Sequence, residues 1–167
     1  MPTRSSTAKD ACDLLDADHR AVRKLFKEYE ELAGSRARGA AQRRLGLARQ
    51  VCRELVVHAQ VEEEIFYPRL RAVIREGALL DEAEVEHQTM RDLIGQLQAM
   101  DTADDAFDAR VKVLGEYVEH HVKEERSDLF TRARAARKLD LVALREEIAQ
   151  RKEALLAERE EAEATTA

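Results

Sequence analysis

The 167-residue chain has no tryptophan, two prolines, six glycines and two cysteines, and aromatic residues make up only 4% of it. Little proline and glycine leaves few places where a helix must stop. The two cysteines, Cys12 and Cys52, stand 40 positions apart with no CxxC spacing, so a disulfide framework or thiolate metal knuckle is not expected and a reducing compartment is. No stretch of 18 consecutive apolar residues occurs, which excludes a membrane-spanning helix, and the first residues carry no apolar run of signal-peptide type. The expectation is a cytoplasmic protein. Basic excess is lacking too: the net charge is −6 with the signs interleaved, which speaks against nucleic acid as a partner. There is no Ser-His-Asp or Cys-His nucleophilic set, no glycine-rich phosphate loop and no aromatic platform for bases.

What remains is rich in Ala, Leu, Glu, Arg and Lys, all good helix formers, with 44% hydrophobic residues to supply a core. The pattern predicts an all-α chain: a flexible segment 1–9, an up-down-up-down four-helix bundle over 10–136, and an additional charged helix over 138–164. Asp10 or Thr7 caps the first helix, whose apolar line runs Leu15, His19, Val22, Phe26, Tyr29 at three-and-four spacing. Gly34-Ser35 and Gly39 mark a loop. The second helix lines up Leu45, Ala48, Cys52, Leu55, His58, Glu62 and Phe66, and Pro68 should end or kink it. The third, from about Leu79 to Met100, carries Leu80, Ala83, His87, Met90, Ile94 and Leu97. After a turn with a cap at 101–105, the fourth carries Phe107, Val111, Leu114, Val118, His121, Glu125 and Leu129. The last segment has a thin stripe, Leu144, Ile148, Leu155 and Leu156, fit either to cross the bundle end or to support a weak homodimer in place of a monomer.

The chain repeats itself. His58-x-x-x-Glu62 returns 63 positions later as His121-x-x-x-Glu125, and Phe66-Tyr67-Pro68 is answered by Leu129-Phe130-Thr131. Asp18-His19 is likewise answered by Glu86-His87. Each half is therefore a helical hairpin offering two histidines and a glutamate to one interior. A single histidine on a helical stripe is usually an ordinary core residue; four in phase on four helices, two with a glutamate one turn on, are not. Two buried carboxylates facing each other repel, and an uncompensated one costs about 3 kcal/mol or more. Metal ions remove that cost, and imidazole with carboxylate suits Fe, Mn or Zn. With two histidines per ion and carboxylates able to bridge, the set His19, His58, Glu62, His87, His121 and Glu125 describes a dinuclear centre. Glu63, Glu64 and Glu124 read as solvated or rim positions, His120 as an outer neighbour of the ligands, and Met90 and Phe26 as walls of the site. Tyr29, Tyr67 and Tyr117 could line the pocket, but core packing is the favoured reading for each.

Through Asp18-His19, His58 to Pro68, Glu86-His87 and His120 to Glu125, the chain resembles the hemerythrin-like HHE cation-binding proteins over about residues 10–136. That resemblance implies two iron ions, oxo- or hydroxo-bridged, with His19 and His58 on one, His87 and His121 on the other, and Glu62 and Glu125 between them. The oxygen-carrying members have one more histidine, at the position of Ala83 here, and their last carboxylate falls where this chain has Arg126. Glu84, or a nearby tyrosine, is the group left to take the vacated position. The resemblance implies a centre that binds or senses O2, NO or peroxide, or handles iron; the alternative is a di-iron redox enzyme, for example a peroxide-decomposing one.

Overall fold

A computed structural model of the chain describes residues 8–166, and Thr7, the alternative cap, lies outside them with most of the segment 1–9. Five helical rods account for nearly all of it. The first is α1 (Ala11–Leu32), started by Asp10, whose side chain accepts from the Asp13 backbone amide while Asp13 caps Asp10 in return. The second is α2 (Ala40–Val61), which runs through a π turn, Glu62–Phe66, into α3 (Tyr67–Arg71). The third is α4 (Gly77–Gln98). The fourth is α5 (Asp105–Glu124), capped by Asp104 and continued through a second π turn, Glu125–Leu129, into α6 (Phe130–Ala135). Short connections make neighbours antiparallel, so the four rods form the expected up-down-up-down bundle. Gly34 and Gly39, at φ 70 and 79, take the left-handed turns of the first loop, a region costly for other residues.

Pro68 does not end its helix. The π turn ahead of it changes the hydrogen-bond register, the Tyr67 amide donating to the Glu62 carbonyl five residues back, and the rod continues to Arg71. Sequence periodicity of 3.6 gives no hint of that wider turn. The second π turn repeats it, with Phe130 donating to Glu125, so the 63-residue repeat extends to the backbone defect itself.

The last rod, α7 (Leu141–Thr166), lies lengthwise against α1 and α2, antiparallel to α2, and does not cross the bundle end. Glu147 meets Arg69, Arg151 meets Glu64, and Glu163 meets Arg53 in that order. Its Leu141, Leu144, Ile148 and Leu155 are buried within this chain. Among the described residues, no helix is long and apolar enough to cross a membrane.

The apolar core is divided in two. One part gathers Cys12, Leu15, Val61, Phe66, Leu70, Leu80 and Phe130 with the α7 leucines; the other gathers Val22, Leu55, Met90, Ile94, Phe107 and Val118. The histidines and glutamates of the repeat fall between them, one polar layer across a bundle otherwise sealed by hydrocarbon. At the far end Arg44, also buried, donates to the carbonyls of Leu32, Ser35 and Ala103, tying the two interhelical loops together. Cys12 and Cys52 are both buried free thiols.

Candidate metal centre

All six residues singled out by the repeat meet in the polar layer, and all are buried. His58 and Glu62, and His121 and Glu125, stand one helical turn apart and point inward together. The histidines form two pairs: His19 Nε2 lies 3.0 Å from His58 Nε2, and His87 Nε2 lies 3.1 Å from His121 Nε2. The glutamates stand between the pairs. Glu62 turns Oε1 to His58 at 2.8 Å and Oε2 to His87 at 3.2 Å. Glu125 turns Oε1 toward His19 at 3.8 Å and Oε2 to His121 at 3.0 Å. Each carboxylate thus presents one oxygen to each pair.

Each of these four histidines keeps Nε2 inside and turns Nδ1 outward to a carboxylate. His58 donates to Asp18 at 3.1 Å, His87 to Glu63 at 2.8 Å and His121 to Glu86 at 2.5 Å; His19 faces Asp16 at a looser 3.7 Å. Such outer carboxylates fix the tautomer and the ring direction of a metal-binding imidazole. The acid that precedes a histidine on one helix orients the histidine of the next: Asp18, before His19, holds His58, and Glu86, before His87, holds His121. Cations close the arrangement. Lys152 of α7 pairs with Asp18, Arg91 with Glu63 at 2.7 Å and Arg126 with Asp16 at 3.0 Å.

The electrostatics are those of a site short of positive charge. Burial and the neighbouring His58 hold His19 down to about 3, leaving it a neutral imidazole. Burial also works against charge on His121, but hydrogen bonds to Glu125 and Glu86 outweigh it and hold the ring up to about 10. His58 is raised well above the usual range, because the charge of Glu62 and the bond to Asp18 overcome burial. Burial and the charge of Glu62 push the Glu125 carboxyl up to about 7. Glu125 Oε1 and His19 Nδ1 are buried without a hydrogen-bond partner, and Glu62 Oε1 has His58 Nε2 alone beside it. Such orphans are costly in a dry interior, and cations placed between the two pairs would satisfy both carboxylate oxygens. The donor atoms fall into two groups, His19 with His58, Glu62 and Glu125, and Glu62 with His87 and His121, each within 4.8 Å of one another. The residues present fit a pair of metal ions.

Of the three tyrosines that could line the centre, Tyr67 is the one that does, where the sequence alone favours core packing. Its hydroxyl lies 3.2 Å from Glu62 Oε2, 3.1 Å from Glu125 Oε2 and 3.4 Å from His87 Nε2, with its ring stacked on His87 at 5.5 Å. In an α-helix a residue five on from Glu62 would point well aside; the π turn swings it back to the same face. Burial and the two glutamates keep this phenol protonated. Glu84 does not take that place. It is exposed and 3.5 Å from Arg71. His120 is also outside, 59% exposed, and reaches the centre only through Glu86 at 3.3 Å. Glu64 and Glu124 are on the outside, but Glu63 does more than line the rim, since it holds His87. Tyr29 bonds Asp108 in the far half of the core, and Tyr117 is exposed. Met90 walls the site as expected; Phe26 instead packs near Gly115, and the aromatic wall is Phe130, stacked on His19 at 5.9 Å.

Comparison with known proteins agrees with this geometry. The profile of the Hemerythrin HHE cation binding domain matches residues 10–133. The chain belongs to that family. Its fold is also that of the crystal structure of a hemerythrin HHE cation binding domain-containing protein from Mycobacterium kansasii, at a TM-score of 0.72 and 23% identity over 88% of this chain and 87% of that one. Among curated proteins it is similar to a DNA nickase of Nostoc sp. (strain PCC 7120), 34% identical over 122 residues, which are 73% of this chain and 33% of the nickase. The HHE match therefore spans about a third of that relative's length.

Proposed function

We propose that this HHE protein holds two iron ions in its polar layer, His19 and His58 on one, His87 and His121 on the other, with Glu62 and Glu125 shared between them. The observation that carries the reading is the arrangement of the two glutamates, each giving one oxygen to each histidine pair. Bound iron would supply reversible one-electron chemistry and a coordination position for a small oxygen or nitrogen ligand. The chain's own residues do the rest. Asp18, Glu63 and Glu86 hold the imidazoles in place, and Tyr67 stands ready to donate its proton beside His87. The two core halves flank the layer with hydrocarbon.

A cavity of about 20 Å³ reaches His58, His87 and His121 between Val22, Met90, Ile94 and Val118. That is room for one molecule of water size, and its hydrocarbon walls suit O2, NO or peroxide entering as a neutral molecule. We therefore read the protein as a binder or sensor of such a ligand, monomeric, with α7 seated on its own bundle. The second reading, peroxide decomposition at the same centre, is favoured by the Tyr67 hydroxyl, a proton donor in contact with both shared carboxylates. Strand nicking forms no part of the reading, since a chain of net charge −6 has no basic excess to meet phosphate. The experiment is to load the protein with iron, add peroxide and follow oxygen release. One stable adduct per centre is expected; release over many turnovers would replace the sensor with the enzyme, and no spectral response to O2, NO or peroxide would remove both.

A further inference from the structure

A second cavity, of about 100 Å³, reaches the same centre from the other side, between α4 and the π turn at Glu125–Leu129. Its inner end is lined by His121 and Glu125, both buried; Glu125 meets His121 through Oε2 and turns its unpartnered Oε1 onward to His19. Its outer part is lined by Glu82, Glu86, Glu124 and Asp128. Glu82 is exposed and Glu86, Glu124 and Asp128 are partly so, which places a graded file of carboxylates from the surface to a buried one. Among the described residues, the cations in contact with these acids are His120 and Arg132, the latter 3.4 Å from Asp128 on the rim. Ala83 contributes no more than a methyl group to the wall, so a longer side chain there would narrow the cavity. The cavity on the opposite side has Asp18 as its one carboxylate, already paired with Lys152 and His58, and a hydrated cation entering there would lose its water among valines and an isoleucine and pass Arg91.

We propose that this acidic cavity is the route by which divalent cations reach the centre, arriving at the His87/His121 pair first, while small neutral ligands use the apolar cavity. The proposal rests on the two-metal reading above. Carboxylates lining a cleft raise the local concentration of cations and speed their capture by roughly ten- to a thousand-fold. Glu86 links the file to the centre directly, since its other oxygen holds His121.

The test is the rate at which metal-free protein takes up Co(II), followed by the visible absorption that develops in a nitrogen–oxygen site, with final metal content measured separately. Glu82→Gln, Glu124→Gln and Asp128→Asn combined should slow uptake about tenfold at low ionic strength, less at high salt, and leave the final content unchanged. Glu30→Gln, Glu31→Gln and Glu116→Gln, an equal change of charge on exposed residues elsewhere, should not slow it. Ala83→Leu, which narrows the cavity without touching charge, should slow uptake at every salt concentration. An unchanged rate in the first variant, or equal slowing in the first two, overturns the route. Loss of final content in the first variant also overturns it, since those acids would then hold the ion themselves. If unsubstituted protein takes up no metal, it is the two-metal reading that fails.

Discussion

Behind His87 stand Tyr67, stacked on its ring, and Glu63, holding its Nδ1. At the equivalent positions of the repeat, 63 residues on, are Phe130, stacked on His19, and Arg126. Phe130 has no hydroxyl to bring to the carboxylates. Arg126 cannot accept a proton from an imidazole, so it pairs with Asp16, which faces His19 only at 3.7 Å. The two halves share their backbone, down to the π turns, and their inner ligands; they differ in what stands one layer out. The His87/His121 side has the Tyr67 hydroxyl and a raised His121, while the His19 side has a neutral ring facing the unpartnered Glu125 Oε1. Duplication built the pocket, and a few substitutions in the outer layer made its two positions unlike.

The largest effect should come from the shared groups. Glu62→Ala and Glu125→Ala should each lose most of the metal from both positions, because each serves both histidine pairs; elemental analysis showing a clean loss of one ion would make that glutamate a ligand of one side alone. Acid should act next most strongly. A cation has to displace the protons that the metal-free centre holds, and these sit on Glu125 up to about pH 7 and on His121 up to about pH 10. Affinity should therefore rise with pH, by about tenfold per pH unit for each proton displaced, more steeply below pH 7 than above it. Competition titrations against a chelator from pH 5 to 9 check this, and a flat profile would deny that those protons are displaced.

Tyr67→Phe makes the two sides alike at that position. It should keep the metal count and change the visible spectrum of the iron-loaded protein; an identical spectrum would put the hydroxyl out of reach of the centre. Smallest are the outer partners. Glu63→Ala should fill fully at saturating metal yet bind one ion about ten- to a hundred-fold more weakly, and Lys152→Met, one contact further from His58, should weaken it less. Equal losses from the two substitutions would contradict this layered order.

The convergence of the six buried residues was legible in the sequence because four histidines and two glutamates keep a 3.6-residue phase with the apolar stripe, and the repeat picks His121 over His120. Which tyrosine lines the centre was not, since the inward position of Tyr67 depends on a π turn that breaks that phase. The outer acids were half legible: Asp18 and Glu86 stand beside histidines in the repeat, yet each serves the histidine of another helix, a contact across the bundle that helical phase does not reveal. The seat of α7 was the least legible, because Leu141, Leu144, Ile148 and Leu155 are few among many charges, and ion pairs such as Arg151 with Glu64 help set its register along α2.

The central claim is that two cations share two carboxylates inside one bundle. Its most direct test is the metal content of protein stripped of metal, reloaded anaerobically with Fe(II) and freed of excess. Two irons per chain is the predicted count, falling below one in Glu62→Ala; a single iron that survives that substitution would contradict the account.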